Sequence, residues 1–102
     1  MATLHTVNKS PFERNSLSTC VAHLNAGDSM LMIEDAVIGA RKGSSSAALV
    51  ETAMKSGTVY VLAADLAARG MSADDIVAGT KVVDYGGFVD LVTGHDRTVT
   101  WL

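Results

Sequence analysis

The sequence predicts a three-layer α/β/α fold built on a five-stranded parallel sheet. Three observations point there. Short runs of apolar and β-branched residues alternate along the chain with segments that carry helix signals, the pattern of parallel crossovers. Gly, Asn and Asp punctuate the joins between them. Apolar residues make up 48% of the chain and charged residues only 19%, as expected when strands are buried on both faces. One domain spans residues 1–102, because a chain of this length has room for a single core.

Ala2–Val7 reads as the first strand, broken by Asn8–Pro11. Ser10, Pro11 and Glu13 supply a cap, a first-turn proline and an acid at the third position, which predicts a helix from Pro11 to about Asn25. Leu17, Cys20, Val21 and Leu24 define its buried stripe, and Gly27 ends it. Ser29–Ile33 is the second strand. Glu34–Ile38 reads either as a helical turn or as the approach to the Gly- and Ser-rich loop Gly39–Ser46. Ala47–Lys55 is a helix capped by Ser45 or Ser46 and stopped by Gly57, and Thr58–Leu62 is the clearest strand. Ala64–Arg69 makes a short helix closed by Gly70, and Asp74–Ala78 adds a turn. Lys81–Tyr85 is the fourth strand, Phe88–Thr93 a short helix, and Thr98–Leu102 the fifth strand.

Composition excludes several functions. Eight Lys and Arg against eleven Asp and Glu leave a net charge of −3, and the bases are scattered. No basic stripe is available to neutralise a phosphate backbone, so direct nucleic-acid binding is not expected. One cysteine makes neither an internal disulfide nor, alone, a zinc site, and no cofactor is expected. The N-terminal residues lack the pattern of a signal peptide, and no window is long and apolar enough for a membrane span, which points to the cytoplasm. The mean hydropathy of +0.26 leaves two explanations open: an obligate partner surface, or a sheet covered on both faces.

The common site motifs of α/β proteins are absent. The first strand leads into Asn-Lys-Ser-Pro-Phe, not the Gly-rich turn that lets a backbone approach a pyrophosphate. No P-loop or Gly-x-Ser-x-Gly turn occurs. A phospho-acceptor receiver is excluded by position: the acidic pair Glu34–Asp35 follows strand two, and Lys81 begins strand four. His5 is expected to be a buried, hydrogen-bonded strand residue, and His95 a cap on the preceding helix. Asp28, Asp84, Asp90 and Asp96 fall at element ends, where solvated turns and caps are the default.

Cys20 is the one soft nucleophile. A thiolate there would accept sulfane sulfur as a persulfide, provided something lowers its pKa. It lies about halfway along the predicted first helix, remote from the positive end of the dipole, and His23 is the nearest helper. Against this stands its place in the Leu17–Val21–Leu24 stripe, which suits a packed core thiol.

The sequence resembles the DsrH/TusB family along almost its whole length. The markers are Leu4-His5-Thr6 with Ser10-Pro11, then Gly27-Asp28 leading into Met30-Leu31-Met32-Ile33-Glu34-Asp35-Ala36-Val37. Val59-Tyr60-Val61-Leu62, Asp65, Ala68-Arg69-Gly70, Asp84-Tyr85, Phe88-Val89, Leu91, His95 and the near-terminal Trp101 follow in order. The resemblance implies a DsrEFH-like fold and a heterohexamer holding two copies each of this chain and of DsrE-like and DsrF-like paralogues. It also implies transfer of persulfide sulfur to a small cysteine-tailed acceptor of the DsrC/TusE kind. The family's transferase chemistry resides mainly in the DsrE/TusD-like chain, which makes this one a structural or auxiliary subunit. Cys20 matches a cysteine of DsrH-type chains, so the resemblance points to sulfur oxidation before TusB-type synthesis of 2-thiouridine in tRNA. It implies for Cys20 an auxiliary persulfide or docking thiol.

Overall fold

In a computed structural model, which describes residues 2–102, the alternation predicted above becomes five parallel strands. They are β1 (Thr3–Val7), β2 (Ser29–Met32), β3 (Thr58–Leu62), β4 (Lys81–Val83) and β5 (Arg97–Trp101), in the order β4-β3-β2-β1-β5. The helices are α1 (Ser16–Ala22), α2 (Ala47–Ser56), α3 (Ala63–Ala68) and α4 (Tyr85–Gly94), with 3-10 segments at Glu34–Ala40 and Ala73–Asp75.

Strand order and crossover handedness together decide what lies on each face. From β1 to β4 the chain steps across the sheet in one direction, and right-handed crossovers then put every connection on the same side. There, Val7, Met30, Met32, Val59 and Val61 pack with Leu17 and Cys20 of α1, Val37 of the 3-10 segment Glu34–Ala40, Val50 and Ala53 of α2, and Leu66 of α3 in one core. From β4 the chain returns past all the others to β5, so the same handedness sends α4 to the opposite face. The register places Leu4, Thr6, Ser29, Leu31, Tyr60 and Val83 on that second face. α4 reaches it at both ends: Gly87 lies against Val83, and His95 hydrogen-bonds Ser29 at 3.0 Å. His95 also bonds the Leu91 carbonyl at 2.6 Å, the helix-capping role expected of it.

Several boundaries differ from expectation, α4 among them, which begins at Tyr85 where Phe88 was expected. Ser10, Pro11 and Glu13 form an isolated turn in which the Ser10 carbonyl accepts from Glu13 and Arg14, and α1 begins only at Ser16 and ends at Ala22. Tertiary contact wins over the local signal, since the buried Ser16 hydroxyl donates to the Leu102 carbonyl at 2.7 Å and fixes where the helix starts. Glu34–Ala40 is a full 3-10 segment and absorbs part of the predicted loop; its first amide donates to an Asp65 carboxylate oxygen at 2.7 Å. β4 stops at Val83, two residues early, because Asp84 turns to cap α4 by accepting from the Gly87 amide at 2.8 Å.

Candidate functional site

The chemistry-bearing side chains gather where α1 lies over β1 and β5. His5, on β1, faces the core side of the sheet between Met30 of β2 and Val99 of β5. Asp28, in the turn before β2, reaches it: Oδ2 lies 2.9 Å from His5 Nε2. On the other side of the ring, the indole N–H of Trp101 donates to His5 Nδ1 at 3.0 Å. An indole N–H can only donate. Nδ1 is therefore the acceptor, and the Nε2 proton points at Asp28. The result is a chain of oriented bonds from β5 through β1 to the turn before β2.

Asp28 is 2% exposed, so its carboxylate has been taken almost fully out of water. Burial acts to raise its pKa. Bonds from His5 and from the Asn25 and Thr3 amides outweigh that, and the net direction is down, below the ordinary carboxylate value of 3.8. Gly57 extends the constraint, for a Cβ there would collide with the Asp28 carbonyl. Asp28 is thus a buried hub and not the solvated turn residue its position suggests. The Gly27-Asp28 turn and Leu4-His5-Thr6 mark both ends of the pair in the sequence, but nothing local to either names the other as its partner.

Cys20 sits beneath this network with no exposed surface. Burial, with a smaller push from the Asp28 charge, drives its thiol from 9.0 up to about 12. His23, the expected helper, turns elsewhere: its Nδ1 bonds the Thr19 carbonyl at 2.7 Å, and its ring leans on Trp101 at 5.3 Å. Its link to Cys20 is through backbone alone, the His23 amide donating to the Cys20 carbonyl at 2.9 Å; among the described residues no side-chain hydrogen bond joins the ring to the thiol. Trp101 stands between two environments. It packs against the core that holds Cys20, and it lines an open cleft of about 250 Å³ with Arg14, Asn15, Ser16, Thr19 and Leu102. The cleft opens near the carboxyl ends of β1 and β5, where the strand order reverses and open α/β sheets place their ligands.

The Glu34–Asp35 pair is held apart from this region. Arg69 of the α3 end clasps Asp35 at 2.7 Å, and Asp65 holds the Glu34 amide. Glu34 adopts a left-handed backbone at φ 50°, kept there by that bond. No group of three or more His, Cys, Asp or Glu among the described residues is placed to hold a metal ion. No helix of the described residues is long and apolar enough to cross a membrane.

The architecture and its enclosed thiol define a small parallel α/β chain whose distinctive side chains tie strands together. The chain belongs to the DsrH family: the model described as DsrH like protein matches residues 9–98. It is 39% identical over 99 residues to Protein TusB of Erwinia tasmaniensis, spanning 96% of this chain and 99% of that one. Protein TusB of Pectobacterium parmentieri is 31% identical over the same shares. Among solved structures, the ychN protein of E. coli matches with a TM-score of 0.82 over 99% of this chain and all of its own, at 18% identity, a likeness of fold.

Proposed function

We propose that this chain is a non-catalytic subunit of a cytoplasmic, TusB-type sulfur-relay assembly. It joins DsrE-like and DsrF-like sister chains, two copies of each, and the assembly passes persulfide sulfur to a small cysteine-tailed acceptor on the way to 2-thiouridine in tRNA. The observation that carries this reading is the near full-length likeness to proteins named TusB, two of them 31% and 39% identical to this chain. The state of Cys20 supports the non-catalytic part. Persulfide transfer needs a reachable thiolate. A thiol with a pKa of about 12 is ionised in roughly one molecule in 10⁵ at pH 7, and this one has no exposed surface. The reacting cysteine then belongs to a sister chain, and Cys20 serves chiefly as packing.

A second reading, a DsrEFH-type assembly for sulfur oxidation, draws on one observation, the presence of a cysteine at position 20. Complementation separates the two. A bacterium lacking its own TusB receives this chain with its two sister chains, and 2-thiouridine is measured in digested tRNA by mass spectrometry. The wild-type chain and Cys20→Ala are both expected to restore the modification. Failure of the wild type to restore it, with the assembly intact, overturns the tRNA reading. Loss of transfer in Cys20→Ala alone, with assembly intact, overturns the packing role.

A further inference from the structure

His5 has both ring nitrogens committed, and the two commitments answer an added proton in opposite ways. Nε2 donates to the Asp28 carboxylate at 2.9 Å and keeps that bond whatever happens at Nδ1. Nδ1 accepts the Trp101 indole N–H at 3.0 Å, which requires a bare lone pair. A proton placed on Nδ1 sets two donors face to face, because an indole N–H can only donate. The His5–Asp28 bond then becomes a charged pair, and the Trp101 bond is lost.

The surroundings of the ring admit that proton. Asp28 lies against it as an anion throughout the neutral range, its carboxyl held below 3.8. Arg97 of β5 is the opposing cation. It sits beside Thr3, two residues before His5 on the same face, with its guanidinium 3.4 Å from the Thr3 hydroxyl. From α1, Cys20 presents a neutral thiol, pushed up to about 12. Met30 and Val99, the register neighbours of His5 on β2 and β5, carry no charge.

His23 of α1 completes the arrangement. Its exposed ring lies 5.3 Å from that of Trp101, tilted by 44°. Its Nδ1 donates to the Thr19 carbonyl at 2.7 Å, so Nε2 takes up any further proton. A positive ring there attracts the indole face. Protonation thus repels the indole N–H at His5 and draws the same ring towards His23. We infer that Trp101 is a proton-operated latch: near neutrality it ties β5 to His5 of β1, and acidification frees its indole. The ring also lines the cleft with Arg14, Ser16 and Thr19, so its release moves that wall. The inference is independent of the subunit reading.

Trp101 is the only tryptophan, and its indole N–H gives a single nitrogen-15 NMR signal. Protection of that N–H against hydrogen exchange is measured on the full chain from about pH 8 to about pH 5, where histidines gain charge and Asp28 keeps its own. Corrected for the intrinsic pH dependence of exchange, protection is expected to fall roughly tenfold, as one such bond turns from attraction to repulsion. The fall should keep step with the appearance of a proton on His5 Nδ1 in imidazole nitrogen-15 spectra, while backbone amides of β1 and β5 stay protected. His5→Gln, which cannot gain charge, should hold the indole protection constant, and His23→Gln should keep most of the fall. In the wild type, a bare His5 Nδ1 at the acid end or an unchanged indole protection overturns the inference. So does loss of backbone protection together with the indole's, which is unfolding, or a fall that survives His5→Gln and vanishes in His23→Gln.

Discussion

Asp28 shows how one buried charge is made to stabilise a fold. Its carboxylate is accepted in the interior because His5 and two backbone amides meet it. Removing the charge leaves those donors facing a poor acceptor, and losing hydrogen bonds to such a buried charged acceptor costs about 1.5–3 kcal/mol. Asp28→Asn is therefore expected to lower unfolding free energy by that amount in urea titration. The same group sets the acid limit. Its folded pKa lies below 3.8, so its stabilisation is complete above that value and drains away as pH falls through the depressed one. Cys20 sets an alkaline limit of the opposite sign. Its folded pKa of about 12 exceeds 9.0, so its contribution is full below pH 9 and is lost as pH rises towards 12. Melting temperature against pH should fall on both sides, and Cys20→Ala should flatten the alkaline side alone.

At the scale of elements, position in the sequence and tertiary contact compete. α4 begins at Tyr85 because the preceding Asp84 side chain caps the Gly87 amide, and Asp84→Ala should cost about 0.5–2 kcal/mol, read as a lower urea midpoint. An aspartate immediately before an apolar run was the available signal, but the β-branched Val82–Val83 pair carried the strand reading two residues too far. α1 failed for a different reason. Ser10-Pro11-Glu13 is a sound local start, yet the segment that stays helical is the one whose Ser16 reaches Leu102, 86 residues away. Periodicity found Leu17 and Cys20 as core positions, since that signal is local. It could not find the His5–Asp28–Trp101 chain, whose members come from β1, a turn and β5.

For the whole molecule, the alternation of strands and helices was enough to predict the parallel sheet and its five strands, because short apolar runs between helices allow little else. What it could not reveal is the unequal dressing of the two faces, which follows from the single crossover back to β5. That inequality is plain in the side chains: the richly covered face encloses the thiol, and the thinly covered one leaves Tyr85, Val89 and Val92 of α4 exposed. The most direct measurement is to load the assembled complex with a sulfane-sulfur donor and weigh each chain. The account predicts added mass of about 32 Da per sulfur on a sister chain and none on this one. Added sulfur on Cys20, with the sister chains unmodified, would contradict it.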